Sequence, residues 1–220
     1  MDILQNLDTM DKAATLSLNG NMGSFADSVF WGLSSKLIWI PVALLFLYFV
    51  FRKKDLRPIA KILIILALVL TITLCDQFTS SLVKPLVARF RPSHDIQLSE
   101  LLHYVNGYHG GKYGFMSSHA ANSFGAAVLG ARIIKKIYFS MFLFVLATLV
   151  SYSRIYLGVH YLGDVVCGAI VGCLIGYVVF RALRATCTYF RLRHKNGAKP
   201  NLDLRRSLWI FKRSRSVVAE

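Results

Sequence analysis

Three short stretches of the chain carry residues able to act together on a phosphoryl group. Ser153-Arg154 is followed, after five intervening residues, by His160, and Asp164 lies four positions beyond it. A carboxylate that accepts from one imidazole nitrogen fixes the tautomer and leaves the other nitrogen free to attack. Lys84 and Arg91-Pro92 are separated by six residues. With Arg154 they supply three cations that can surround one phosphoryl group, the arginines donating in a fork and the lysine acting as a point charge. Ser117-Ser118-His119 is the third stretch and heads an apolar segment. Serine is a favoured N-cap, and the unpaired backbone N–H groups at a helix start form an anion seat. His119 is then available as the acid that protonates a leaving oxygen. One histidine as nucleophile, one as acid and a cationic cage suffice for phosphoryl transfer, so no metal or other cofactor is expected.

Taken singly, each stretch has a bland reading. Lys-x6-Arg-Pro can be a membrane-flanking basic loop, Ser-Ser-His a simple cap, and His160/Asp164 a pair stabilising a helix start. Only their convergence on one site gives the chemistry weight, and convergence depends on the elements that carry them.

Of the 220 residues, 55% are apolar and only 17% charged, and the mean hydropathy is +0.50. A soluble domain carries about a quarter charged residues, so an ordinary soluble protein, a disordered chain and a collagen-like repeat are excluded. Five stretches are long and apolar enough for membrane spans. They run over about 37–51 (extended upstream by the mixed segment 30–36), 58–80, 118–134, 137–152 and 162–183. The third is rich in Gly and Ala, which permits close helix packing in lipid. Leu4, Leu7, Met10, Ala14 and Leu18 recur at helical spacing. They predict an N-terminal interfacial helix within 1–30, with a soluble cap as the alternative. MDILQNLD lacks a basic region followed by an apolar run and is not read as a signal peptide. The expected fold is thus an all-α membrane bundle of five to six spans. The segments are 1–30 interfacial, 31–185 transmembrane and 186–220 a basic cytoplasmic tail. Asn196–Pro200 reads as a turn, and Leu204–Phe211 as a stretch lying on the membrane surface. The four cysteines form no paired motif and read as small buried hydrophobes.

Charge sets the direction. Five basic residues lie between Arg52 and Lys61, three between Arg132 and Lys136, and eleven between Arg181 and Arg215, nineteen of the 26 in all. By the positive-inside rule these regions are cytoplasmic, with the N-terminus outside and the C-terminus inside. The net charge of +15 is therefore explained by juxtamembrane anchoring to anionic headgroups rather than by nucleic-acid binding. All three chemical stretches then fall at one depth on the extracytoplasmic side.

These residues resemble the signature of the type 2 phosphatidic acid phosphatase superfamily, whose motifs are Lys-x6-Arg-Pro, Pro-Ser-Gly-His and Ser-Arg-x5-His-x3-Asp. The first and third are complete at Lys84/Arg91/Pro92 and Ser153/Arg154/His160/Asp164. The second departs, with Met116 and Ser118 in place of the proline and glycine. Over residues 30–185 the resemblance implies a helical membrane bundle. It implies a nucleophilic His160 that becomes phosphohistidine, an orienting Asp164 and an acidic His119. Lys84, Arg91, Ser117, Ser118 and Arg154 would hold phosphate. The implied activity is a metal-independent lipid phosphatase of a bacterial inner membrane. Its substrate would be undecaprenyl diphosphate, lipid A, phosphatidylglycerol phosphate or phosphatidic acid. The rivals are a non-enzymatic anion or lipid transporter, a phosphotransferase at the same site, and a metal-dependent hydrolase built on His94, His103 and His109. Those histidines lie in the Gly- and Tyr-bearing loop 93–115, which reads as a mobile flap or a solvated loop. Asp76 is expected to orient one of the motif cations.

Overall fold

The computed structural model describes residues 3–54, 56 and 58–196. Among these residues eight α-helices run in order: α1 (Ile3–Leu18), α2 (Ser24–Ser34), α3 (Trp39–Arg52), α4 (Pro58–Asp76), α5 (Lys84–Val87), α6 (Ser118–Ile134), α7 (Ile137–Tyr156) and α8 (Leu162–Asn196). A π-helical segment, Gln77–Val83, joins α4 to α5. Among the described residues, the five stretches expected to be membrane spans all fall on helices, but not all five qualify as spans by length and apolarity. Three runs, Pro58–Val87, Ile137–Tyr156 and Leu162–Thr188, are long and apolar enough to cross a bilayer, and α2 with α3 forms a bent fourth. Segment 30–36 is not a straight upstream extension of the first span: α2 meets α3 at 55° across a short 3-10 turn.

Apolar residues face outward along these helices. Leu44, Leu66, Val69, Met141, Val145, Ile170 and Leu174 are all exposed. That is the pattern of helices solvated by acyl chains, where every backbone group is satisfied within the helix. The largest buried apolar cluster is at the other end of α6 from Ser117. There Leu129, Ile133 and Ile134 pack with Phe46 and Val50 of α3, Ile64 of α4, Leu143 of α7 and Val179 and Phe180 of α8.

The α6–α8 contact positions the site. Gly168, Gly172 and Gly176 of α8 face the backbone of Ser117, Ala121 and Gly125 of α6 in a ladder of four-residue steps. A side-chain carbon on Gly168 would lie 2.5 Å from the Ser117 carbonyl oxygen. One on Gly172 would enter the Ala121 backbone. Such small-residue rows let two helices approach backbone to backbone. The Ser117 N–H also donates to the Asp164 carbonyl (3.0 Å), which joins the starts of the two helices.

The N-terminal helix is amphipathic as expected, with Ile3, Leu7 and Met10 exposed. Its polar face is turned inward, where Thr15 and the following Asn19 are buried. Asn196 is the last residue of α8, and the rest of the expected turn, 197–200, lies outside the described residues, as does the surface stretch 204–211.

Candidate functional site

Arg154 sits in the last turn of α7, and the chain then reverses through Gly158 at φ +70°. This left-handed conformation suits glycine. A side chain there would also meet the Tyr104 ring at 3.1 Å. The reversal delivers His160 into the protein with 1% of its surface exposed. The Nδ1 of His160 lies 3.2 Å from the Asp164 Oδ2. The two are not on one helix face, as a helix starting near Gly158 would have placed them. Helix α8 begins at Leu162, and His160 lies in the turn before it. Asp164 is the third helical residue, and its Oδ2 also accepts from the Tyr161 N–H (3.1 Å), half of a capping box. The pairing therefore comes from a helix cap.

Helix α6 starts at Ser118, with Ser117 as its N-cap accepting from the Ala120 N–H. The Ser118 hydroxyl is a junction: it takes hydrogen bonds from Thr79 (2.8 Å) and Lys84 (2.9 Å) and pairs with Ser80 (2.9 Å). The wider π-helical turn lets the consecutive residues Thr79 and Ser80 both reach it; such turns recur at functional sites. Asp76 makes no ion pair with Lys84; it accepts from Ser80 (3.5 Å), which pairs with the Ser118 hydroxyl that Lys84 bonds, and it lies within electrostatic range of the lysine.

Arg91 follows α5. Its Nε donates to the Tyr113 carbonyl (3.1 Å), while its buried Nη1 has no hydrogen-bond partner. Arg154 is 3% exposed; its guanidinium donates to the Ser34 hydroxyl and to Tyr108 (3.4 Å), and its Nε is likewise unpartnered. Among the described residues, no carboxylate forms an ion pair with Lys84, Arg91 or Arg154. Buried charges are ordinarily paired, so two buried guanidinium groups and a half-buried ammonium without a carboxylate ion pair mark a place for an anion. Burial first, and then Arg91, Arg154, Lys84 and His119, push the His160 pKa well below its ordinary 6.5. The ring is therefore neutral, the form that can attack phosphorus. Burial, reinforced by the nearby Arg154, also lowers the Arg91 pKa.

His119 stands in the first turn of α6, half-buried, within electrostatic range of the same cations. All eight expected site residues are thus brought to one end of α6, α7 and α8. The loop histidines are not brought together. His103 bonds Asp27 of α2 (2.9 Å), His94 bonds Ser93 (3.1 Å) and the His109 ring packs on Tyr104. Among the described residues, no group of three metal-ligating side chains occurs. The loop itself lies against the site. Gly110 abuts the Arg91 guanidinium and Gly114 the Asp164 carboxylate, each at a distance a methyl group would close.

Sequence reasoning missed Arg89. It lies inside the Lys-x6-Arg-Pro motif, and its Nη1 donates to Asp164 Oδ1 at 3.2 Å. It also missed Asp8 and Asp11 of α1, which hold Arg89 (2.9 and 2.8 Å). A single basic residue on a basic loop gives no signal, and the acids of α1 read only as the polar face of an amphipathic helix.

The family model of the PAP2 superfamily matches residues 62–186, which include every motif residue but not α1. A lipid A 4′-phosphatase of Porphyromonas gingivalis is 38% identical over 166 residues, covering 76% of this chain and 70% of that protein. The lipid A 4′-phosphatase of Bacteroides thetaiotaomicron is 37% identical over 179 residues, covering 81% and 79%. Among solved structures, Aquifex aeolicus LpxE aligns with a TM-score of 0.52 and 26% identity over 77% of this chain and 93% of that one. The transmembrane PAP2-type phosphatidylglycerolphosphate phosphatase of Bacillus subtilis aligns with a TM-score of 0.59 over 88% and 90%. At 19% identity, that likeness is one of fold alone.

Proposed function

This chain belongs to the PAP2 superfamily and is a membrane lipid phosphatase, and from that premise we propose that it removes the 4′-phosphate of lipid A through a phosphohistidine on His160. The supporting observation is the set of three cations without a carboxylate ion pair, Arg91 and Arg154 buried and Lys84 half-buried, gathered around a neutral histidine that a carboxylate holds by its Nδ1.

A phosphate monoester carries nearly two negative charges at neutral pH. Lys84, Arg91 and Arg154 would neutralise its oxygens, and Ser118 at the start of α6 would add a donor. With Nδ1–H donating to Asp164, the Nε2 lone pair of His160 attacks phosphorus. His119 protonates the departing sugar oxygen. Water then attacks the phosphorus–nitrogen bond, with His119 as the base, and phosphate leaves. The cage binds most tightly when charge is spread over the equatorial oxygens, which is where electrostatic stabilisation accelerates reaction.

The proposed setting is the outer leaflet of a bacterial inner membrane. The acyl chains remain in lipid, the N-terminus lies outside, and the basic C-terminal region lies at anionic cytoplasmic headgroups. Two lipid A 4′-phosphatases among the relatives favour that lipid over a polyprenyl diphosphate. Purified protein offered bisphosphorylated lipid A, polyprenyl diphosphate and phosphatidylglycerol phosphate should release phosphate fastest from lipid A and leave the 1-phosphate in place. Preference for a diphosphate, or loss of the 1-phosphate, would overturn the substrate reading.

A further inference from the structure

The catalytic pair is not held by the transmembrane bundle alone. Helix α1 reaches the first turn of α8 at three points. The Leu162 N–H donates to the Thr15 hydroxyl (3.0 Å), and the Gly163 N–H donates to Asp11 Oδ1 (2.7 Å). These N–H groups head a helix and have no partner within it, so α1 caps α8 from outside. Gly163 is what lets α1 come so close: a side-chain carbon there would lie 2.8 Å from Asp11 Oδ2. The third point is Arg89. Its Nη1 is shared between Asp11 Oδ2 (2.8 Å) and Asp164 Oδ1 (3.2 Å), its Nη2 bonds Asp8 (2.9 Å), and its guanidinium lies 3.9 Å from the Tyr161 ring centroid.

Asp164 thus has its two oxygens committed, one to His160 and the Tyr161 N–H, the other to Arg89. We propose that Arg89 is a positioning residue for the reaction, and that Asp8 and Asp11 of α1 set it. Arg89 fixes the rotation of the Asp164 carboxylate, and that carboxylate fixes the His160 ring. Sharing one guanidinium among three carboxylates also limits how far Arg89 neutralises Asp164, which leaves it a strong acceptor for the His160 N–H. Helix α1 is by this account part of the active site, although it touches no substrate.

The inference rests on His160 as nucleophile, and the test separates the two. At metal sites, partners that orient a ligand are typically worth about 10- to 100-fold in affinity or activity, and a factor of that order is expected for a partner that orients Asp164. In full-length protein, Arg89→Gln is expected to lower kcat by about tenfold or more with KM within about twofold. Asp11→Asn is expected to lower kcat by a smaller factor. In the Arg89→Gln background Asp11→Asn should add almost nothing, because it acts through Arg89. A merely structural role would give losses that multiply and track thermal stability. If Arg89→Gln does not fold, Arg89→Lys combined with Asp11→Asn makes the same comparison, since lysine keeps the charge without the fork. Near-normal kcat in both single variants, with His160→Gln inactive, overturns this inference alone. An active His160→Gln overturns the nucleophile reading beneath it.

Discussion

The ammonium of Lys84 lies 2.9 Å from the hydroxyl of Ser118, the residue that stands where the resembling motif has glycine. The hydroxyl is this lysine's hydrogen-bond partner in a half-buried position, and it is itself held by Thr79 and Ser80. Ser118→Ala removes that acceptor and leaves the ammonium to find its own place. A hydrogen bond to a charged group is worth about 1.5–3 kcal/mol, so a KM increase of about tenfold is expected, with kcat kept within a few-fold. An unchanged KM would mean that Ser118 does not prepare Lys84 for substrate.

The closeness of α6 and α8 is equally open to test. Gly172 faces the Ala121 backbone with no room for a side chain. Gly172→Leu must push the helices apart and carry Ser117 and His119 away from His160. Loss of activity together with a lower Tm is expected. Retained activity would mean that the pair need not be tightly packed.

The pH dependence of stability has a definite sign. The unfolded chain protonates His160 near 6.5, whereas burial and then the surrounding cations keep it neutral in the fold to well below that. Below pH 6.5 the unfolded state therefore binds more protons, and stability falls as pH falls. One such proton gives a slope of about 1.4 kcal/mol per pH unit. Between pH 6.5 and 5 the Tm of the wild type should fall more steeply than that of His160→Gln. Parallel curves would contradict a neutral buried His160.

His119 is assigned the proton for the leaving oxygen. Its removal matters most when that oxygen is a poor leaving group. His119→Ala should lose about 10²- to 10⁴-fold on an alkyl or sugar phosphate, the usual range for general acid catalysis, and far less on a nitrophenyl phosphate. Equal loss on both substrates would remove the acid role.

Much of this site was legible in the sequence, for identifiable reasons. Spans show because a bilayer demands long apolar runs. Lys84, Arg91, Ser117, His119, Arg154, His160 and Asp164 show because cations and histidines are conspicuous at the ends of such runs. The cap geometry that pairs His160 with Asp164 was not legible, since helix starts cannot be placed to the residue from periodicity. Arg89, Asp8 and Asp11 were hidden because their importance is set by tertiary contact across 75 to 152 residues of chain, which spacing does not encode. The bend between α2 and α3 was hidden too, because 30–36 is apolar enough to continue a span.

The central claim is that phosphorus passes through His160, without a metal. Its most direct test is to quench the enzyme under alkaline conditions during turnover of labelled substrate in the presence of EDTA, and to locate the label by mass spectrometry. The account predicts a phosphoryl group on the His160 imidazole, lost on acid treatment and absent in His160→Gln, which should not turn over. Near-normal turnover by His160→Gln, label on another residue, or dependence of the labelling on a divalent cation would contradict it.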